Sequence, residues 1–137
     1  MTLSALRDDA LRTAAGRTQV RVSLPWIRSL PLASLIEPTV EIDGIRRTPV
    51  IALGDRRVAP SDLCAEDAWW YIQDRVVLEI PDAASPGPHE VAVSFSLEIP
   101  YLPGGPDAPL RLPFTFSRVL EAGATSPSVA RDAGGVE

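Results

Sequence analysis

The sequence is poor in the residues that carry most metal and nucleophile chemistry. Its 137 residues include one cysteine, Cys64, and one histidine, His89. A lone cysteine excludes an internal disulfide and any zinc site built from cysteine pairs, and one additional histidine does not complete a ligand set. We therefore expect no metal ion and no other cofactor bound by this chain alone.

Lysine is absent, so all 13 basic residues are arginines, and 18 acidic residues bring the net charge to −5. The arginines are scattered, and the only adjacent pairs are Arg46-Arg47 and Arg56-Arg57. No basic stripe that could follow a phosphate backbone occurs. This pattern argues against a nucleic-acid partner.

Long apolar runs are also missing. No stretch reaches the roughly 18 apolar residues that indicate a membrane-spanning helix, so we expect no membrane association. Residues 1–17 carry charges throughout and lack the apolar centre of a secretory signal. Together with the unpaired cysteine, this composition favours a cytoplasmic protein.

Stretches of helical length are rare, because 14 prolines and nine glycines divide the chain into short segments. Several segments alternate apolar and polar side chains, and turn residues separate them at intervals of about ten residues. The pattern predicts an all-β fold: a single-domain antiparallel β-sandwich over residues 18–121. Residues 1–17 could form a strand or a short amphipathic helix, and the polar residues 122–137 are expected to be a disordered tail.

The predicted strands follow from this alternation and from turn chemistry. Asp43-Gly44 is a strong hairpin signal, Pro113 marks its strand as an edge strand, and residues 75–80 are expected to pair with residues 89–99. Ser61 with Asp62 could cap one helical turn. The predicted strands are residues 18–24, 39–42, 45–47, 49–53, 56–58, 69–80 with a break near residues 73–74, 89–99 and 111–118.

His89 opens the most regular alternating segment, directly after Pro86-Gly87-Pro88. General-base catalysis requires a partner that orients the ring, and the only neighbouring carboxylate, Glu90, points to the opposite face of the strand. We expect His89 to be a structural residue, half exposed at the entrance of a strand.

Other catalytic patterns are missing as well. There is no nucleophile elbow for a serine triad, and Gly104-Gly105 is followed by no lysine that could bind phosphate. The glutamates that could pair across strands are expected to mark solvent-facing positions; they are Glu41, Glu79, Glu90 and Glu98. We therefore expect no catalytic residues.

Aromatic residues cluster instead beside predicted loops. In the run Trp69-Trp70-Tyr71, side chains must point to both faces of a strand, so at least one leaves the core. These aromatics could close the ends of the sandwich, or they could contact a partner or ligand, for which aromatics and arginine are the favoured residues. The predicted partner-interface residues are Trp26, Arg28, Trp69, Trp70 and Tyr101.

Three stretches in order resemble a known family: PWIRSLPL at residues 25–32, VEIDG at residues 40–44, and PGPHEV at residues 86–91 followed by IPYLP. The family is the small (β) subunit of bacterial C-glycoside deglycosidases, and the resemblance spans residues 17–120. It implies a β-sandwich that joins a larger, barrel-type α subunit holding a divalent metal, typically manganese.

The resemblance further implies the reaction of the complex. The substrate class is C-glycosides of flavonoids and related aglycones whose sugar carries a 3-oxo group, and the carbon–carbon bond between sugar and aglycone is cleaved, which is lyase chemistry. This chain would be a non-catalytic or auxiliary small subunit, and we expect no independent activity from it.

Two alternatives remain open from the residues. One is a free-standing carbohydrate-binding β-sandwich that stacks Trp26, Trp69 or Trp70 on a sugar face. The other is a scaffold component of an unrelated assembly.

Overall fold

The computed structural model describes residues 6–7, 9–14, 16–26, 28–54, 56–72, 74–82, 85, 87–105, 108–121 and 131–132. Within these ranges the chain forms 12 β-strands and two 3-10 helices, and no α-helix occurs. The 3-10 helices are Leu32–Ser34 and Pro60–Ala65. The strands are Leu11–Ala14 (β1), Arg17–Ser23 (β2), Leu30–Pro31 (β3), Leu35–Ile42 (β4), Ile45–Arg47 (β5), Val50–Leu53 (β6), Arg56–Val58 (β7), Trp69–Trp70 (β8), Asp74–Ile80 (β9), Pro88–Gly105 (β10), Ala108–Glu121 (β11) and Arg131–Asp132 (β12).

Two larger sheets share one hydrophobic core. The first has the strand order β1-β2-β9-β6-β7 with β12 also paired to β9, the second has the order β11-β10-β4-β5, and β3 pairs with β8 in a separate ribbon. All these pairs are antiparallel except that of β12 with β9. The predicted all-β fold is confirmed.

Strand β10 shows how the sequence pattern builds this core. Between Val91 and Ile99, the apolar residues at every second position are at most 4% exposed, whereas the residues between them are partly exposed, as expected for a sheet with one buried face. They pack with Val20, Val22 and Leu78 of the first sheet in a single cluster. The buried residues of β10 are Val91, Val93, Phe95, Leu97 and Ile99.

Two local predictions are confirmed. Asp43 and Gly44 join β4 to β5 with φ values of 52° and 87°, the pair of positive angles that a two-residue hairpin turn requires. Pro113 lies in β11, which forms an edge of its sheet, the position in which proline is tolerated within a strand.

The predicted pairing of residues 75–80 with residues 89–99 is wrong. Strand β9 pairs with β2 and β6 in the first sheet, whereas β10 pairs with β11 and β4 in the second. The segment between them therefore connects two sheets and is not a hairpin loop. Alternation within a strand defines its buried face but does not identify its neighbours.

The ends of the chain are partly described. Leu11–Ala14 form a strand, which agrees with the strand alternative for the N-terminal segment, and β1 pairs with β2 in the same sheet. Of the predicted disordered tail, Arg131–Asp132 pair in parallel with Asp74–Arg75, which differs from that expectation. Residues 122–130 and 133–137 lie outside the described part of the chain.

The predicted helical turn near Ser61 is a 3-10 helix beginning at Pro60. Its N-cap is Ala59, and no side chain caps it. Proline is well suited to this first position because its fixed φ matches the helix and the missing N–H has no partner there.

Candidate functional site

Three of the predicted interface residues meet at one point on the surface. The indole Nε1 of Trp26 donates a 2.6 Å hydrogen bond to the phenolic oxygen of Tyr101. The guanidinium carbon of Arg28 lies 5.5 Å from the centre of the Tyr101 ring, within the range of a cation–π contact. Residues from two distant parts of the chain thus form one cluster.

The fold explains this meeting. Pro25 follows β2 and its ring prevents a regular continuation of the strand, so Trp26 turns toward the core and is partly buried there. Tyr101 lies in the outer part of β10, beyond the last residue of that strand that pairs with β4. It is 47% exposed.

A second group of exposed apolar residues is linked to the segment that carries Arg28. The ribbon of β3 and β8 pairs Pro31 with Trp69, and the backbone N–H of Ile72 donates a 2.9 Å hydrogen bond to the Ser29 hydroxyl. Trp69, Tyr71 and Ile72 are 46–50% exposed. We call the combined feature the aromatic surface; it consists of Trp26, Arg28, Trp69, Tyr71, Ile72 and Tyr101.

The interface prediction does not hold for Trp70. Its side chain is fully buried, its indole N–H donates a 3.1 Å hydrogen bond to the Asp74 carbonyl, and its ring lies 6.1 Å from that of Phe95. Trp70 is therefore a core residue of this chain. The interface prediction for Trp26, Arg28, Trp69 and Tyr101 stays a prediction.

Sequence reasoning missed Tyr71 and Ile72 as members of the aromatic surface. Strand alternation required Trp69 and Tyr71 to share a face, but it did not determine whether that face or the one of Trp70 was buried. In the structure, Trp70 pairs with buried Leu30, so the face of Trp70 is the buried one and that of Trp69 is exposed.

The aromatic surface is suited to binding another protein. Tryptophan, tyrosine and arginine provide large contact areas with few rotatable bonds, and these residue types dominate binding energy in protein interfaces. Exposure of a group of aromatic side chains to water is unfavourable. A partner protein that covered this group would remove the unfavourable exposure.

His89 lies in a different environment from the one predicted. It is only 8% exposed, and its Nδ1 lies 2.6 Å from the Asp43 carboxylate while its Nε2 lies 2.7 Å from the Ser85 carbonyl oxygen. Both oxygens accept hydrogen bonds, so the arrangement fits a doubly protonated ring. The hydrogen bond to Asp43 and then that to Ser85 raise the pKa of His89 above its usual range.

Asp43 is the orienting partner that the sequence did not reveal. Its other carboxylate oxygen accepts a 3.0 Å hydrogen bond from the Glu90 N–H, and the Asp43 N–H donates to the Glu90 carbonyl at 2.9 Å. The hydrogen bond with His89 lowers the pKa of Asp43. Because both nitrogens of His89 are engaged, this pair fastens a turn to a strand and offers no nitrogen for proton abstraction.

Glu79 also differs from its prediction as a solvent-facing residue. It is 2% exposed and accepts hydrogen bonds of 2.7–2.8 Å from Arg17, Gln19 and Arg57. Burial raises the pKa of Glu79, but the hydrogen bonds from Arg57, Gln19 and Arg17 outweigh it and lower the pKa to about 2. Glu79 therefore organises a charged network on the first sheet.

The described residues also bear on metal-binding and membrane-spanning functions. Among them, no group of three or more histidine, cysteine, aspartate and glutamate side chains is arranged to hold a metal ion. No helix in the described ranges has the length and hydrophobicity needed to cross a bilayer.

Comparison with characterised proteins identifies the family. A β subunit of 3'-dehydrocarminate deglycosidase from a Microbacterium species is 34% identical over 101 residues, which cover 70% of this chain and 76% of that protein. The C-glycoside deglycosidase β subunits of Arthrobacter globiformis and Microbacterium trichothecenolyticum are each 32% identical over 103 residues, covering 71% of this chain and 79% and 78% of theirs. The chain belongs to the C-glycoside deglycosidase β-subunit family.

No family model matches the chain. The predicted resemblance is confirmed by the pairwise similarities. Membership of a β-subunit family means that the chain has the role of a subunit in a heteromeric deglycosidase.

Proposed function

We propose that this chain is the non-catalytic subunit of a metal-dependent C-glycoside deglycosidase and binds the larger catalytic subunit through the aromatic surface. The observation that carries the proposal is the 34% identity to a deglycosidase β subunit over 76% of that protein's length. A β subunit needs a surface for its partner, and the aromatic surface has the composition that such interfaces favour.

The reaction is assigned to the complex as a whole. The larger, barrel-type subunit holds a divalent metal, manganese in this proposal, and carries the base. The substrate is a C-glycoside with a 3-oxo sugar, whose ketone acidifies the neighbouring C–H, so that removal of this proton leads to elimination of the aglycone. One relative is named for a 3'-dehydro substrate, which supports the oxidised sugar.

The environment of His89 supports a non-catalytic role for this chain. Its two ring nitrogens are held by Asp43 and by the Ser85 carbonyl, so neither is available to a substrate proton. We place the complex in the cytoplasm, where the exposed thiol of Cys64 would stay reduced.

The test is reconstitution from separately purified subunits. The chain would be mixed with a deglycosidase catalytic subunit, preferably one encoded beside it, and cleavage of a 3-oxo C-glycoside would be followed by release of the aglycone. We expect no activity and no stoichiometric metal in the isolated chain, and full activity only in the mixture. Aglycone release or tight manganese binding by the isolated chain would contradict the proposal, and sugar binding without association would favour a carbohydrate-binding module.

A further inference from the structure

The hairpin of β10 and β11 extends beyond the sheet to which it belongs. Pairing of β10 with β4 ends at Leu97 and Leu35, but pairing with β11 continues to Gly105 and Ala108. After buried Ile99, the described residues of β10 are exposed except for partly buried Leu102. We call residues 100–105 and 108–110 the arm.

Close contacts connect the two strands of the arm near its tip and hold the arm against the core. A Cβ atom added at Gly104 would lie 2.6 Å from both the Leu110 Cα and the Pro109 carbonyl oxygen, so the two backbones meet where only glycine fits. Leu102 and Leu110 pack against the core. The hydrogen bond from Trp26 to Tyr101 joins the arm to the segment between β2 and β3.

The exposed side of the arm is apolar and rich in proline. Pro100, Tyr101, Pro103 and Pro109 line most of a shallow depression of about 400 Å³. Proline has no N–H, so this edge is poorly suited to adding a β-strand from another protein. The rings and the depression between them are therefore the features of the arm best suited to contact a partner.

We infer that the arm inserts into an apolar groove of the catalytic subunit, with Arg28 facing an acidic residue at the rim of that groove. The inference rests on the proposed function. A hairpin stiffened by prolines and a close backbone contact loses little conformational entropy on binding. Tyr101 belongs both to the arm and to the aromatic surface, so one partner can cover both.

Charge favours the catalytic subunit over a second copy of this chain as the occupant. The chain carries a net charge of −5, which disfavours association of two copies of like charge. Arg28 places a positive charge over the exposed Tyr101 ring, and an acidic residue on a different protein would complement it.

The two glycines at the end of β10 provide a matched test. Gly104→Ala forces the backbones of the arm apart, whereas a Cβ at Gly105 meets no atom within 4 Å. We would measure melting temperature of the isolated chain and its dissociation constant for the catalytic subunit. Gly104→Ala should weaken association at least tenfold with a melting temperature within a few degrees of the parent, and Gly105→Ala should remain within about threefold.

A second variant keeps the test decisive if Gly104→Ala does not fold. Pro103→Asp places a charge on the exposed side of the arm and should also weaken association at least tenfold. Val119→Ala, at a residue that is 64% exposed on β11 outside the arm, serves as the surface control.

The outcomes distinguish failure of the arm hypothesis from failure of the proposed function. If Gly104→Ala and Pro103→Asp both bind within threefold of the parent while Trp69→Ala binds weakly, the arm is not inserted but the proposed function stands. If the parent chain does not bind the catalytic subunit at all, the proposed function fails. If the isolated chain dimerises and Pro103→Asp abolishes the dimer, a second copy occupies the arm and the inference is overturned.

Discussion

His89 and Asp43, which are 46 positions apart in the sequence, share a hydrogen bond of 2.6 Å between Nδ1 and Oδ2. This contact fastens the turn between β4 and β5 to the beginning of β10. Through Nε2, the same ring also holds the Ser85 carbonyl in the connection between the two sheets. One titratable side chain therefore joins three parts of the fold.

The first prediction concerns the pH dependence of stability. The folded-state pKa of His89 is raised from 6.5, so its contribution is fully present below pH 6.5 and is lost as pH rises through the raised value. Asp43 has a lowered pKa, so its contribution is present above 3.8 and is lost as pH falls. The difference in melting temperature between the parent and His89→Ala should therefore shrink as the pH rises above 6.5.

At about pH 6, His89→Ala should lower the free energy of unfolding by about 1 to 2 kcal/mol, because hydrogen bonds to both sides of the ring are lost. The activity of the reconstituted complex should stay within an order of magnitude of the parent. Asp43→Asn is the matched control. Asparagine tolerates the positive φ of the turn, and the variant should remove most of the pH dependence of stability that His89 contributes. Loss of activity by several orders of magnitude in a folded His89→Ala variant would make His89 catalytic.

The second prediction concerns the network around Glu79. Its pKa is lowered from 4.5 to about 2, so its contribution is present above pH 4.5 and is lost as pH falls toward 2. Glu79→Gln should lower the free energy of unfolding at neutral pH by about 2 to 4 kcal/mol, because it removes the buried negative charge that accepts hydrogen bonds from Arg17, Gln19 and Arg57. Urea denaturation would measure this change.

Glu98→Gln is the control for Glu79→Gln. Glu98 contacts Arg111 at 3.2 Å and its side chain is 30% exposed, so its replacement should cost less than about 1 kcal/mol. Equal losses for the two variants would show that burial of Glu79 contributes no special stabilisation.

The contacts of Glu79 and His89 show where sequence reasoning reached its limit. Alternation identified the buried face of β10, and Asp43-Gly44 identified a turn, because both signals depend on neighbouring residues. The partners of Glu79 come from β2 and β7, and that of His89 comes from a turn in another part of the chain. Such contacts depend on strand order, which alternation does not encode.

The aromatic surface was predictable to a greater extent. Turn residues and a run of three aromatics indicated that some of these side chains leave the core, and four of the five named residues lie on the surface defined here. The fifth, Trp70, faces inward because β8 pairs with β3 and directs it toward Phe95. The arm was not predicted, since the extension of β10 past β4 depends on where pairing ends.

The third prediction concerns the hydrogen bond between Trp26 and Tyr101. Trp26→Phe and Tyr101→Phe each remove one partner of the 2.6 Å contact. If the bond holds the arm, the effects on association with the catalytic subunit should be non-additive, with the double variant about as weak as either single one. The dissociation constants of the parent, the two single variants and the double variant complete a double-mutant cycle. Strictly additive losses of binding free energy would show that the two residues act independently.

The last prediction separates the two neighbouring tryptophans of β8. Trp70 is fully buried, so Trp70→Ala should cost about 3 to 5 kcal/mol of unfolding free energy. Trp69 is 46% exposed, so Trp69→Ala should change this free energy by less than about 1 kcal/mol. Its effect should appear instead as association with the catalytic subunit weakened at least tenfold, as expected for an interfacial tryptophan.

Trp70→Phe is the matched variant for the core site. It keeps a ring near Phe95 and loses the hydrogen bond to the Asp74 carbonyl, so its cost should be smaller than that of Trp70→Ala. Denaturant unfolding of the isolated chain and titration with the catalytic subunit give both quantities for each variant. If Trp69→Ala lowers stability as much as Trp70→Ala and binds with parental affinity, Trp69 is a structural residue, and the aromatic surface loses its largest exposed side chain.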